Sequence, residues 1–97
     1  MPAHVEIYTT PYCPFCIRAR GLLDAKGVRY AHHDVSANSE KRAWLRDVTG
    51  RRTIPQIFIN GRGIGGWDDL YALEHAGQLD ELLAQEPPAE GSRHKAV

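Results

Sequence analysis

The pattern of apolar and polar residues in the first third of this 97-residue chain predicts a strand, a helix and a second strand. Residues 4–9 begin by alternating apolar and polar side chains and are rich in β-formers, which indicates a strand. Residues 14–26 repeat apolar side chains at helical spacing, and Pro14 suits the first turn of a helix. Residues 28–35 are predicted to form the second strand. The apolar stripe of the helix is expected to consist of Ile17, Ala19, Leu22 and Leu23.

The middle of the chain predicts a second helix followed by a β-hairpin. Ser36 or Asn38 can cap this helix, which is expected to end at Gly50. The apolar run 56–59 is predicted to be a strand, and Asn60-Gly61 directly after it is a strong type I′ turn signal that leads into a short return strand. The inner face of the helix is expected to carry Trp44, Leu45 and Val48.

Two more helices are predicted after the hairpin. Asp68 or Asp69 opens the first of them, and Gly77 separates it from the last. The order strand, helix, strand predicts a βαβ unit with a parallel strand pair, and the hairpin adds an antiparallel pair. We therefore predict an α/β fold in which a four-stranded mixed sheet is flanked by helices on both faces.

The composition is that of one globular domain, with 42% hydrophobic and 25% charged residues. The 12 basic and 12 acidic side chains cancel, which argues against a nucleic-acid-binding module because such modules need excess positive charge. No apolar run approaches the roughly 20 residues that span a bilayer, so we expect no membrane association. Residues 1–10 do not resemble a secretory signal, so we expect a cytoplasmic protein.

The candidate chemistry is concentrated in Cys13 and Cys16, the two cysteines of the sequence. In a cytosolic protein a Cys-x-x-Cys pair indicates metal or redox chemistry. Both residues lie where the first strand meets the first helix, and the unpaired N–H groups of a helix start stabilise a thiolate. Cys13 precedes the helix and is expected to be the nucleophile, whereas Cys16 lies in its first turn and is expected to be the resolving thiol. Arg18 and Arg20 could add positive potential.

Two other interpretations of the cysteine pair are weaker. Both thiols could be small buried core residues, but their position at a strand–helix junction favours redox chemistry. A structural zinc site needs about four ligands, whereas the chain offers two sulfurs, and His32-His33 lie in a predicted strand at unsuitable spacing. No metal is therefore expected.

Two further segments are candidates for ligand binding. Pro55 directly precedes the strand 56–59, so it marks either the start of that strand or a cis turn. Gly65-Gly66 precedes a helix start, where free N–H groups can bind a carboxylate while Asp68 or Asp69 binds an ammonium group. The glycine–aspartate segment fits the binding of a free α-amino-acid head group, and it also fits a simple aspartate cap after a glycine turn.

In this order, the three motifs resemble those of the glutaredoxins, most of all the small bacterial dithiol members. The resemblance extends from about His4 to Leu83, and the motifs together are far more specific than Cys-x-x-Cys alone. It implies a thioredoxin-like fold, with residues 1–84 as the glutaredoxin domain and residues 85–97 as a disordered C-terminal tail. The matching motifs are Tyr12-Cys13-Pro14-Phe15-Cys16, Thr53-Ile54-Pro55 and Gly65-Gly66-Trp67-Asp68-Asp69.

The resemblance implies an enzyme, a glutathione-dependent thiol–disulfide oxidoreductase. Cys13 would attack the mixed disulfide between glutathione and a protein or small thiol, and Cys16 would resolve Cys13 when the substrate is a protein disulfide. Glutathione would be the reducing co-substrate. The expected partners are glutathionylated or disulfide-containing proteins, with ribonucleotide reductase as a family-level example, and the expected state is a monomer.

The resemblance also implies a glutathione site. Thr53 and Ile54 would align the glutathione backbone, and Pro55 would be a cis-proline that faces the cysteines. Arg51 would lie near the glycine carboxylate, and residues 66–68 would hold the γ-glutamyl head group. The implied glutathione-binding residues are Phe15, Arg51, Thr53, Ile54, Pro55, Gly66, Trp67 and Asp68.

Three positions depart from the family pattern. Thr10 stands where many glutaredoxins have a lysine, which leaves more of the carboxylate binding and thiolate stabilisation to Arg51 and the helix dipole. Phe15 replaces a common tyrosine and keeps the ring. Trp67 stands where cysteine or serine is frequent, at a position where a backbone contact is expected.

Two other functions stay open on the sequence. A glutaredoxin-like electron donor reduced by thioredoxin reductase would lack a good glutathione site; Thr10 favours it, whereas the segments 53–55 and 66–68 oppose it. A module that bridges two subunits through an iron–sulfur cluster usually has glycine after the nucleophile and no second cysteine. Pro14 and Cys16 argue against that module.

Overall fold

A computed structural model describes residues 3–87 of the chain. Strands and helices alternate in its first half, and a hairpin and two helices follow, as the sequence predicts. The elements, in chain order, are β1 (Val5–Thr9), α1 (Pro14–Ala25), β2 (Ala31–Asp34), α2 (Ser39–Thr49), β3 (Gln56–Ile59), β4 (Arg62–Gly65), α3 (Trp67–His75) and α4 (Leu79–Ala84).

The strands form one mixed sheet in the order β2-β1-β3-β4. β1 pairs with β2 in parallel, with Ile7 opposite His32. β1 pairs with β3 in the antiparallel sense, with Ile7 opposite Ile57. The turn between β3 and β4 has positive φ at Asn60 (54°) and Gly61 (81°), which is the geometry of a type I′ turn. The predicted fold, a βαβ unit joined to a β-hairpin, is confirmed.

Each face of the sheet buries its own apolar cluster, because side chains along a strand alternate between the two faces. The larger cluster packs α1, α3 and α4 against one face. The smaller one packs α2 against the other face, through Leu45 with Trp44 and Val48 beside it. The buried members of the larger cluster are Val5, Ile7, Ala19, Leu23, Ile57, Ile59, Leu70, Leu79 and Leu83.

The buried stripe of α1 differs from the prediction at one position. Ile17 is 64% exposed, and Cys16 is buried instead, at 2% exposure. Cys16, Ala19 and Leu23 are spaced by three and four residues, so they share one face of the helix, whereas Ile17 is rotated away from it. The helix therefore turns the second cysteine into the core.

Two predicted boundaries also move. β2 begins at Ala31 instead of residue 28, because the N–H group of Val28 donates to the carbonyl oxygen of Leu23 and closes the end of α1. α3 begins at Trp67, before the predicted Asp68 or Asp69, because Gly66 is its N-cap. The later start of β2 shortens the edge strand of the sheet.

The turn residue Asn60 holds both ends of the domain against the hairpin. Its side-chain oxygen accepts from the N–H of His4 at 2.8 Å, and its own N–H donates to the His4 carbonyl at 2.7 Å. Its side-chain nitrogen donates to the carbonyl oxygens of Gln85 (3.1 Å) and Glu86 (3.2 Å). The rest of the predicted tail, residues 88–97, lies outside the described residues.

Candidate active site

Cys13 lies at the N-cap of α1, directly after the loop that leaves β1. Its half-buried sulfur accepts a hydrogen bond from the backbone N–H of Cys16 at 3.2 Å. The Cys13 thiol also donates to the carbonyl oxygen of Ile54 at 3.6 Å. Pro14 occupies the first helical turn and has no N–H of its own to satisfy. The first turn of α1 therefore directs the N–H of Cys16 at the Cys13 sulfur, which lies at the positive end of the helix dipole.

Cys16 is in the opposite environment. Burial, and after it the hydrogen bond with Cys13, raises the pKa of its thiol to about 12, while the Thr10 backbone and the Arg20 charge act in the other direction. The Cys16 thiol therefore stays protonated at neutral pH. Of the two predicted cationic neighbours, Arg20 acts on this thiol, whereas the Arg18 guanidinium lies over the ring of Phe15 at 5.8 Å.

The segment before β3 forms the wall that faces Cys13. The Ile54–Pro55 peptide bond is cis, and Pro55 is buried. The side-chain amide of Gln56 donates to the carbonyl oxygen of Thr53 at 2.8 Å and to its hydroxyl at 3.1 Å, which ties the segment to the start of the strand. Both interpretations of Pro55 are confirmed: its peptide bond with Ile54 is cis, and β3 begins at the next residue.

The turn from β4 into α3 forms the opposite wall. The N–H of Gly66 donates to the Asp69 carboxylate at 3.0 Å, so Asp69 caps the helix from its third position. A Cβ on Gly66 would lie 3.2 Å from the carbonyl oxygen of Pro55, so the two walls approach closely here. The predicted aspartate cap is therefore corrected: the N-cap is Gly66, and Asp69 supplies the capping carboxylate from the third helical position.

The two walls and the start of α1 enclose an open cavity of about 280 Å³. Every residue that the sequence analysis assigned to glutathione binding lines it, and Asp69 lines it in addition. The exposed rings of Tyr12 (94%) and Phe15 (50%) flank the cysteine pair. The lining residues are Phe15, Arg51, Thr53, Ile54, Pro55, Gly66, Trp67, Asp68 and Asp69.

Asp69 lines the cavity but was not among the predicted glutathione-binding residues. Besides capping α3, it contacts Arg51. Its carboxylate accepts from Nη1 of Arg51 at 2.7 Å, which joins the two walls across the cavity. The Arg51 hydrogen bond, and after it the Gly66 N–H, lower the pKa of Asp69 below its usual value. The spacing from Gly66 to Asp69 carries a capping signal, whereas nothing local in the sequence signals the pair with Arg51.

This site can be compared with known proteins. The glutaredoxin family model matches residues 5–64, which is more than half of the chain. The chain belongs to the glutaredoxin family. Glutaredoxins are thiol–disulfide oxidoreductases, and this chain is an enzyme of that class.

Individual glutaredoxins agree with the family match. Glutaredoxin 3 of Escherichia coli is 51% identical over 81 residues, which cover 84% of this chain and 98% of that protein. The solution structure of glutaredoxin from Brucella melitensis is 51% identical, with a TM-score of 0.78, and the match covers 86% of this chain and 90% of that one. A crystal structure described as a buckwheat glutaredoxin–glutathione complex is 32% identical, with a TM-score of 0.78, over 84% of this chain and 76% of that one.

Residues 3–87 offer neither a metal-binding cluster nor a membrane-spanning helix. In that part of the chain, no group of three or more His, Cys, Asp or Glu side chains is arranged to hold a metal ion. Across the same residues, every helix is too short or too polar to cross a membrane.

Proposed function

We propose that this glutaredoxin uses glutathione to reduce glutathione mixed disulfides and protein disulfides through the segment Cys13-Pro14-Phe15-Cys16. The observation that carries the proposal is that residues from three separated motifs line one cavity, and that Ile54 in its wall contacts the Cys13 sulfur. The buckwheat protein that is described as a glutathione complex supports glutathione as the ligand.

In the first step, the Cys13 thiolate attacks the glutathione sulfur of a mixed disulfide. A bond forms between Cys13 and glutathione, and the substrate leaves as a thiolate that takes up a proton. A second glutathione thiolate then attacks the glutathione sulfur held on Cys13. This step forms glutathione disulfide and restores the Cys13 thiolate, so one glutathione thiol is oxidised for each substrate thiol released.

A protein disulfide needs the second cysteine. Cys13 forms a mixed disulfide with one substrate sulfur and releases the other as a thiol. Cys16 loses its proton and attacks the Cys13 sulfur, which releases the second substrate thiol and leaves a Cys13–Cys16 disulfide. Two glutathione molecules reduce that disulfide.

Glutathione would lie along the cavity with its cysteine sulfur toward Cys13. Thr53 and Ile54 would hold its backbone, Arg51 its glycine carboxylate, and Gly66, Trp67 and Asp68 its γ-glutamyl group. The placement of these residues on facing walls supports this orientation. We also propose that the protein acts as a cytoplasmic monomer on glutathionylated and disulfide-containing proteins.

The test is an assay of mixed-disulfide reduction by the full chain with glutathione, glutathione reductase and NADPH. We expect rapid NADPH consumption by the wild type and none above background by the variant Cys13→Ser. Turnover that persists in Cys13→Ser would contradict the role of Cys13.

The same assay distinguishes the alternative electron donor. Thioredoxin reductase with NADPH, in the absence of glutathione, is expected not to support turnover. If thioredoxin reductase reduces the cysteine pair and glutathione does not, the protein is the electron donor served by thioredoxin reductase.

A further inference from the structure

Arg51 and Asp69 form an ion pair between segments that are 18 residues apart in the sequence. Arg51 precedes the cis-proline wall, and Asp69 lies in the first turn of α3. Both side chains are partly exposed at the cavity, at 48% for Arg51 and 39% for Asp69. The pair therefore lies at the cavity surface, where a bound ligand can reach it.

The backbone around the pair is shaped to make room for it. Gly65 has φ of 117°, and a Cβ at this position would overlap the Asp69 carboxylate and lie 3.0 Å from Nη1 of Arg51. Any other residue would therefore collide with Asp69 and crowd Arg51. The close approach of the Gly65 backbone leaves the pair little room to move.

The contact also determines which part of the guanidinium is available. Oδ2 of Asp69 takes a hydrogen bond from Nη1 of Arg51 and another from the N–H of Gly66. A guanidinium has five N–H donors, and its edge formed by Nε and Nη2 can bind a second carboxylate through two hydrogen bonds. An arginine held in this way has lost side-chain freedom before a ligand arrives, which lowers the cost of binding.

We propose that Asp69 is a positioning residue: by holding Nη1 of Arg51, it presents the opposite edge of the guanidinium to the glycine carboxylate of glutathione. This inference rests on the proposed function, since it assigns the ligand of Arg51. Asp69 acts through Arg51 and does not touch the reacting sulfurs. Its effect is therefore expected in the KM for glutathione and not in kcat.

The test compares the wild type with the variant Asp69→Asn, which keeps an acceptor for the Gly66 N–H and loses the negative charge. Each is assayed with glutathione and with glutathione ethyl-esterified at the glycine carboxylate. The substrate is a fluorescent glutathionylated peptide whose release is followed by chromatography, so that glutathione reductase is not needed. For glutathione, we expect a KM about fivefold higher in Asp69→Asn and an unchanged kcat. For the ester, we expect equal KM values in the two proteins.

Two further variants separate positioning from helix capping. Asn38→Ala removes a comparable cap, the hydrogen bond to the N–H of Lys41 at α2, away from the cavity. We expect it to lower the melting temperature and to leave the KM unchanged for both thiols. In the background Arg51→Ala, adding Asp69→Asn is expected to cause no further rise in KM.

The outcomes are distinguishable. If Asp69→Asn raises the KM for glutathione and the ester equally, or raises it further without Arg51, Asp69 is a structural residue and the inference is wrong. If the wild type is active and Asp69→Asn leaves the KM for glutathione unchanged, the inference alone is wrong. If the wild type is inactive with glutathione, the proposed function fails and this inference with it.

Discussion

The backbone N–H of Cys16 donates to the sulfur of Cys13 at 3.2 Å, and this contact places the two thiols in opposite electrostatic environments. The half-buried Cys13 sulfur accepts this N–H at the positive end of the helix dipole. The Cys16 thiol is buried beside it, and burial disfavours its charged form. The same helical turn therefore fits Cys13 as the nucleophile and Cys16 as the resolving thiol, which stays protonated at neutral pH.

Cys16→Ser is expected to separate the two proposed reactions. The variant should keep the reduction of glutathione mixed disulfides, because glutathione itself can attack the sulfur bound to Cys13. Reduction of protein disulfides should fall to less than about a tenth of the wild-type rate, because no second thiol remains to release the substrate. Parallel assays with a glutathionylated peptide and a disulfide-bonded protein measure both. Loss of both activities would show that Cys16 has a role beyond resolution.

The thiol of Cys16 is expected to resist ionisation. In Cys13→Ser, the ultraviolet absorbance of a thiolate should not rise as the pH passes 9.0, since burial, the largest cause of the raised pKa of Cys16, is unchanged by this substitution. The same variant in denaturant should ionise near the ordinary value. Because the folded pKa is the higher one, the stabilisation that accompanies it is present below pH 9.0 and is lost as the pH rises toward 12. Ionisation near pH 9.0 in the folded variant would refute this prediction.

Gly65→Ala and Gly21→Ala are expected to have opposite effects. A methyl group on Gly65 would collide with the Asp69 carboxylate and would require an unfavourable positive φ, so it should lower stability and raise the KM for glutathione. Gly21 lies within α1, and a Cβ there would meet no atom within 4 Å. Gly21→Ala should therefore stabilise the protein by about 0.5–1 kcal/mol. Chemical denaturation measures the stability of both variants, and the glutathione assay measures their KM. Destabilisation by Gly21→Ala would contradict the structure of α1.

The buried face of α1 can be tested with Leu23→Ala and Ile17→Ala. Leu23 is completely buried in the larger cluster, so its truncation should cost about 2–5 kcal/mol. Ile17 is mostly exposed, and its truncation should change the free energy of unfolding by less than about 0.5 kcal/mol. Urea unfolding of the two variants compares them directly. Equal costs would mean that Ile17 packs in the core, as its sequence pattern suggests.

Lys26 joins the end of α1 to the helices packed against it. Its ammonium group lies 2.7 Å from the Glu74 carboxylate and 2.9 Å from that of Asp80, and these contacts raise its pKa. Its contribution to stability is therefore present below the unfolded value of 10.5 and is lost as the pH rises through the higher folded value. Lys26→Met should lower the melting temperature at pH 7, and the deficit should shrink at high salt.

Arg29→Met is the matched control for Lys26→Met. It removes the same formal charge from an exposed residue in the loop between α1 and β2. We expect little change in its melting temperature. An equal loss in both variants would attribute the effect to net charge and not to the contacts with Glu74 and Asp80.

The order of elements and the chemistry of the first motif followed from local signals in the sequence. Pro14 starts α1, Asn60-Gly61 turns the hairpin, and Gly50 ends α2 in the left-handed conformation. Each signal acts through its own backbone and its nearest neighbours, so the sequence alone is enough to read it. The Cys-x-x-Cys spacing at a helix start is equally local, and it indicates redox chemistry without knowledge of the fold.

The tertiary structure decided what depends on segments that are distant in the sequence. Periodicity placed Ile17 on the buried stripe, but the packing of α1 against the sheet selected Cys16 instead. Arg51 can pair with Asp69 only because the hairpin places α3 beside the loop before β3. No local sequence signal near either residue predicts this contact. The sequence by itself therefore determined the reactive pair and the type of fold, whereas the shape of the cavity and the partners within it came from long-range packing.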